Sequence, residues 1–292
     1  MKKYTENNSI VFVKLPHAGL GNQLFSLMKA MVHSKLTGKN IRVCNYNQFK
    51  IGPYIRFEKS KRKYNKFFKF QKGILDDFTT RFLISSLIKR KRIFLNPPIN
   101  AKIEISSLFY HYPHWSNYFE GLNEYRQIVK KCLFEILNPN ILENYHHVSS
   151  PEVGLHVRLG DFRKLKIGED FKTVGAVRTP EYYFVDIIRK LRALHRVELS
   201  VTIFTDGYKE DMPELFSLPN VIIPKPNTDI GDLLHLSKSK IIVTSAGSTF
   251  SYWAGFLSES PIILHPDYIH QPIRIDKHLF EGPIDLYLDK LK

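Results

Sequence analysis

Short runs of β-branched and apolar residues alternate with stretches of helical spacing along most of the chain. Ile10–Leu15 ("IVFVKL") predicts a buried strand. A glycine turn follows, then a helix with apolar positions at Leu24, Leu27, Met28, Met31 and Val32. Gly38 stands where a helix stops, and a second strand begins at Ile41. Strand, glycine turn, helix and strand in that order predict the start of a parallel sheet. No steady period is visible from Tyr54 to about Ile105, which reads as an insertion, and helical spacing returns over Leu122–Leu137. The turn-rich stretch "NPNILENYHHVSS" at 138–150 predicts a break.

The second half is more regular. A strand over Val153–Arg158 is followed by a polar loop, with Thr179 and Pro180 as N-cap and first residue of a helix reaching Arg196. Strands are predicted in "LSVTIFTD", "NVII", "KIIVTS" and "PIILH", and helices in "DIGDLLHLSKS" and "STFSYWAGFLS". The expectation is an α/β protein of two doubly wound halves with a cleft between them.

Composition adds limits. Hydrophobic residues make up 43% of the 292, enough for a core, and the two cysteines give no disulfide framework. No secretory leader is visible. The run Ile241–Leu257 is broken by Ser, Thr and Gly and falls short of a bilayer span, so a cytoplasmic protein is expected. The net charge of +15 is concentrated, with 13 Lys/Arg against 3 Asp/Glu between Tyr54 and Arg92. Bases interleaved with Tyr and Phe suit nucleic acid. They suit an anionic membrane surface better, and a solvated insertion is the plain alternative. No nucleic-acid-binding fold signature accompanies the stretch.

Candidate chemistry gathers at three strand ends, where ligands bind in open parallel sheets. These are "HAGLGNQ", "HVRLGDF" and "TSAGSTFS". In the third, Gly247 permits close backbone approach, Ser248 and Thr249 offer hydroxyls, and a helix N-terminus begins. That pattern describes a phosphate cradle, or a mere N-cap at Ser248. The first lacks the third glycine and the ribose-binding carboxylate of a dinucleotide fingerprint. No Asp-x-Asp metal-diphosphate pair occurs anywhere. Arg158 suits a diphosphate without metal, because its planar fork binds phosphate oxygens bidentately and stays charged.

"GLGNQLF", "HVRLGDF" and "STFSYWAGFL", with "YHYPHWSNYF", "IFTDG" and "DLLHLSKSKIIVTS", resemble the bacterial α-1,2-fucosyltransferases of glycosyltransferase family 11 over about 10–50 and 105–265. The resemblance implies a GT-B fold of two Rossmann-like domains facing each other across a cleft. Residues 1–148 would form an N-terminal, acceptor-side domain with a basic insertion at about 54–105, and 149–292 a C-terminal nucleotide-sugar domain. It implies GDP-fucose as donor, no cofactor, no metal, and inverting transfer to the 2-hydroxyl of a terminal galactose.

Residue by residue, His156, Arg158, Gly160 and Asp161 fill the family's histidine-arginine-glycine-aspartate motif, with Leu159 in place of its second arginine. Arg158 would clamp the diphosphate. Gly21 and Asn22 match the first motif; Ser248, Thr249, Phe250 and Ser251 match the third, with Gly247 just before it among the donor-binding candidates. The general base is open between Asp161, which could instead orient Arg158, and His17. Asp206 would contact the nucleoside or cap the next helix, the cap being favoured. Trp115 and Tyr118 would stack on the acceptor sugar, or belong to the core. A lipid-linked acceptor and a peripheral position on the inner face of the bacterial inner membrane are the accompanying expectations. The rivals are a transferase using another nucleotide sugar, and a nucleic-acid-binding protein using the basic stretch.

Overall fold

The computed structural model describes residues 10–45, 51–55, 63–64, 66–69, 94–95, 110–111, 118–268 and 272–291. Most of the basic stretch, and Trp115, lie outside the described residues. The chain divides into two compact units, Met1–Phe49 with Lys63–Leu142, and Lys50–Arg62 with Glu143–Lys292.

In the first unit, β1 (Ile10–Lys14) and β2 (Asn40–Cys44) pair in parallel, joined by α1 (Leu20–Thr37). Helix α1 is buried from Leu20 to His33 apart from Asn22, so it is the core of the unit rather than its cover. It stops at Gly38, whose φ of +67° is the left-handed conformation that a C-terminal glycine supplies without strain. Phe25 packs edge-on against Phe119, with ring centroids 4.8 Å apart. The four-residue helix α2 (Gly52–Ile55) belongs to the second unit, and the first unit continues with the short parallel pair β3 (Phe94–Leu95) and β4 (Tyr110–His111). Helix α3 (Arg126–Ile136) buries Val129, Cys132, Leu133 and Ile136 at helical spacing.

The stretch 138–150 is largely helix α4, Pro139–His147, and the division between the two units, Leu142 to Glu143, falls within it. Its "NPN" start is a helix signal rather than a turn: the Asn138 carboxamide accepts from the Asn140 amide at 3.2 Å, and Pro139 sits at the first helical position.

The second unit contains a wholly parallel six-stranded sheet. Its strands in chain order are β5 (Val153–Val157), β6 (Val201–Thr205), β7 (Val221–Ile222), β8 (Ile241–Val243), β9 (Ile262–Ile263) and β10 (Glu281–Gly282). In space they lie in the order β10-β9-β8-β5-β6-β7. The chain builds outward from β5 through β6 to β7, then returns to the other side of β5 with β8. The order therefore reverses between β5 and β8.

Strand alternation assigns the two faces. Val153, Leu155 and Val157 join one core cluster with Phe184, Ile187, Ile188 and Leu191 of α5 (Glu181–His195), Leu215 of α6 (Pro213–Phe216), and Ile284 and Tyr287 of α9 (Ile284–Leu291). Gly154 and His156 face the opposite way. Leu236 and Ser239, at and just past the end of α7 (Asp229–Ser237), press on Gly154, and Phe250 of α8 (Thr249–Leu257) stacks on His156. Helix α5 starts one residue later than expected, with Pro180 as N-cap, because the Thr179 hydroxyl accepts from the Ala246 amide instead.

The close approach at Gly154 yields a stability prediction. A β-carbon there would lie 2.8 Å from Leu236 Cδ1 and nearer still to the Ser239 side chain. Gly154→Ala is expected to destabilise the protein by about 1–3 kcal/mol, the usual cost of overpacking. Urea unfolding checks this; an unchanged midpoint would mean that α7 yields freely.

Candidate active site at the β5–β8 reversal

Where the strand order reverses, β5 loses its backbone neighbours. Pairing with β8 ends at Leu155 with Val243, and pairing with β6 ends at Val157 with Thr205. Buried backbone groups beyond those points need other partners, and side chains supply them. The Ser245 hydroxyl accepts from the Arg158 amide at 2.9 Å and donates to the His156 carbonyl at 2.8 Å. On the other side Asp206, at the end of β6, accepts through Oδ1 from the Leu159 and Gly160 amides at 2.8 and 3.0 Å.

The other Asp206 oxygen, Oδ2, takes a hydrogen bond from Arg158 Nη1 in an ion pair. Arg158 Nη2 donates to Asp161 Oδ1 at 2.5 Å, and the guanidinium lies 5.4 Å from the centre of the Phe162 ring. A carboxylate on each terminal nitrogen thus holds the fork in one plane. Asp206 is the more enclosed partner, its side chain 13% exposed against 34% for Asp161. The favoured capping role for Asp206 is not what is found. The turn that follows has Tyr208 as its N-cap, with Asp211 accepting from the Tyr208 amide, while Asp206 bonds 46 and 47 residues back along the chain. Leu159 turns into the core against Gly207, on the other side from Arg158.

His156 is fully buried and stacked on Phe250, with centroids 4.8 Å apart and planes 23° from parallel. Burial drives its pKa down to about 3, and the nearby Arg158 charge acts in the same direction against Asp206. The ring is therefore neutral at ordinary pH, and its Nδ1 has no hydrogen-bond partner.

The third cluster forms the turn from β8 into α8. Gly247 has φ +66°, a conformation that residues with a side chain adopt at a cost. Its amide donates to the Tyr252 hydroxyl at 3.0 Å, which donates in turn to the Tyr268 carbonyl. Ser248 is the N-cap of α8 but makes no side-chain cap bond, and Thr249 is the first helical residue. Ser251 is buried and donates to the Ser248 carbonyl at 3.1 Å. The structure therefore brings His156, Arg158, Gly160, Asp161, Asp206, Gly247, Ser248, Thr249, Phe250 and Ser251 to one strand-end edge of the second unit.

His17, Gly21, Asn22 and Tyr118 belong to the first unit. His17 is exposed in the loop before α1, Gly21 is buried, and Asn22 is half-buried. That loop is fastened by Gln23, whose Nε2 donates to the Pro16 and Ala18 carbonyls at 3.2 Å each, and by the Tyr64 hydroxyl, which accepts from the Leu20 amide. Tyr118 stands edge-on to Phe25 at 5.8 Å. Ser245, Tyr252 and Gln23 carry no sequence signal for these roles; those of Ser245 and Thr179 depend on partners far along the chain. Among the described residues no group of three or more His, Cys, Asp or Glu is placed to hold a metal ion, and no helix is long and apolar enough to cross a membrane.

The buried His156 has a consequence for acid stability. In the unfolded chain it takes up a proton near pH 6.5, and in the folded protein only near 3. Between those values the unfolded state holds the extra proton, so this contribution is complete above 6.5 and is lost as pH falls toward 3. The slope is up to about 1.4 kcal/mol per pH unit. Urea unfolding of His156→Phe is expected to show a correspondingly shallower loss below pH 6.5; coincident slopes would mean that the imidazole is not held neutral.

No family model matches the chain, and no curated protein matches it in sequence. Solved structures do. The fucosyltransferase NodZ from Bradyrhizobium superposes with a TM-score of 0.55 at 15% identity, over 90% of this chain and 97% of that one. NodZ α-1,6-fucosyltransferase co-crystallised with GDP gives 0.52 at 14% identity, over 87% and 93%. The form soaked with GDP-fucose gives 0.50 at 16%, over 87% and 94%. At such identities the likeness is one of fold: an α/β, mostly parallel, GT-B-like fold shared with these fucosyltransferases.

Proposed function

We propose that the protein is an inverting, metal-independent glycosyltransferase that moves L-fucose from GDP-fucose to the 2-hydroxyl of a terminal galactose on a glycan. One observation carries the reading. A permanently charged fork is fixed by Asp206 and Asp161 at the strand-order reversal, beside a helix N-terminus that begins without a side-chain cap. The fold likeness to NodZ, a fucosyltransferase solved with GDP and GDP-fucose, supports the donor class. The three motifs support the finer specificity. On this reading the second unit binds the donor and the first the acceptor.

The acceptor oxygen forms its bond to the fucose anomeric carbon as the bond from that carbon to the β-phosphate oxygen breaks, and GDP departs with the electron pair. Negative charge grows on the β-phosphate, where Arg158 and the dipole of α8 stabilise it. Asp206 acts through Arg158, fixing its plane, and is a positioning residue. Asp161 is the candidate to take the acceptor proton, a role that competes with its ion pair to Arg158. Gly21 and Asn22 enter on the motif resemblance alone, and His17, on the same glycine loop, is the alternative base.

Arg158→Lys keeps the charge but loses the fork, and is expected to lower kcat about 10²–10³-fold with the fold intact by circular dichroism. Asp206→Asn leaves Arg158 poorly aimed and should lower kcat with a smaller change in KM for donor. Transfer at the parental rate by both variants would sink the assignment. In a donor screen against β-galactosides, GDP-fucose is expected to be the productive donor, in EDTA as well as without it, giving an α-1,2 linkage by NMR. Turnover with a different nucleotide sugar alone, another linkage, or complete loss in EDTA would each overturn the corresponding part.

A further inference from the structure

The loop between β5 and α5 leaves the strand-end edge and returns to it, and its outer part is exposed almost throughout 163–170. It is nevertheless braced. Arg163 Nη1 and Nη2 bind both oxygens of Glu169 at 2.6 and 2.8 Å, and the Lys166 amide donates to Glu169 at 2.9 Å. The base is closed by the Arg163 amide to the Ala176 carbonyl and the Arg178 amide to the Arg163 carbonyl. Behind it, Tyr268 donates its hydroxyl to the Phe171 carbonyl at 2.7 Å, and Lys172 pairs with Asp267. At the apex stands "KLKIG", Lys164 to Gly168, in which Ile167 is wholly exposed (107%) and Leu165 is 37% exposed.

An aliphatic side chain gains nothing from such a position within the folded chain. Here the backbone beneath it is held by a buttressed carboxylate, so its projection is a built feature. Lysines at 164 and 166 alternate with the two apolar residues. We propose that this apex docks on an anionic bilayer surface, Ile167 and Leu165 entering the headgroup–acyl boundary while Lys164 and Lys166 meet the lipid phosphates.

Charge complementarity favours that occupant, because each Lys near an anionic leaflet contributes to attraction while a single aliphatic tip needs only a shallow site in lipid. A nucleic acid would call for aromatic side chains to stack on bases, and the apex has none. A stable protein partner needs some 20–30 residues a side, far more than this apex offers. Because the loop springs from the same edge as Arg158, docking would turn that edge toward the membrane and toward substrates carried by lipid. The inference rests on the loop alone, so vesicle binding and sugar transfer can fail independently.

The test uses the full chain and vesicles of two parts phosphatidylcholine to one part phosphatidylglycerol. Ile167→Trp should gain tryptophan fluorescence that brominated phosphatidylcholine quenches, read as the increment over the parent chain, which already carries Trp115 and Trp253. In sedimentation, Leu165→Ser/Ile167→Ser and Lys164→Glu/Lys166→Glu should each bind about tenfold or more weakly, with unfolding midpoints unchanged. Any of four results overturns the proposal: a parent chain that does not sediment, loop variants that bind like the parent, no quenching increment on vesicle-bound Ile167→Trp, or equal binding to pure phosphatidylcholine.

Discussion

The end of β5 is where the second unit's backbone runs short of partners, and the rest of the site follows from how that shortage is met. A strand flanked on both sides must release its neighbours where the order reverses, yet its amides there remain largely buried. Ser245 from one side and Asp206 from the other accept those amides. Both acceptors sit on strand ends, so the loop after β5 inherits the rigidity of the sheet. Gly160 is held directly by Asp206, and Arg158 is held twice, through its amide by Ser245 and through its fork by Asp206. A loop position with this many fixed bonds differs from an ordinary salt-bridged surface turn, in which side-chain entropy offsets most of the gain.

The charge balance of the cluster is unusual for an anion site. One guanidinium meets two carboxylates, and burial keeps His156 from adding a positive charge. The two carboxylates are not equivalent. Asp206 also receives two backbone amides, which spread its charge, and it is largely enclosed. Asp161 stands on the solvent side. On the proposed reading, an anion arriving from solvent would compete with Asp161 for the fork and leave the Asp206 pairing in place. Beside it, α8 adds the positive end of a helix dipole without adding a titratable group.

Much of this was legible in the sequence, for a physical reason. Parallel strands buried on both faces read as apolar runs, and ligand residues in such sheets fall just past those runs, so "HVRLGDF" and "TSAGSTFS" could be placed on one edge from order alone. What escaped notice was every role set by a distant partner. Asp206 before a short helical turn looks like a cap because caps are local, whereas its amides come from another strand's end. Thr179 before Pro180 gives the same false signal, its hydroxyl being taken by Ala246. The "NPN" at 138–140 shows a further ambiguity, since Asn and Pro open helices as readily as they make turns. The basic stretch has no apolar period, so pattern alone reads nothing from it.

One further connection joins the site to its surroundings. The Gly247 amide is bound by Tyr252, Tyr252 by the Tyr268 carbonyl, and the Tyr268 hydroxyl reaches back to the Phe171 and Val174 carbonyls in the loop after β5. The turn into α8 and the loop that begins with Asp161 are therefore braced through two tyrosines and a three-residue turn. Arg178 completes the frame from the other end, binding the Phe162 carbonyl and Asp211 of the turn after β6. The loop after β5 is thus tied to the loop after β6, through Asp206 and Asp211, and to the turn after β8, through Ser245 and Ala246, by hydrogen bonds between residues far apart in the chain. A displacement of either neighbouring loop must break bonds to the loop that carries Arg158, so the geometry that aims Arg158 is set by both neighbours and not by its motif alone.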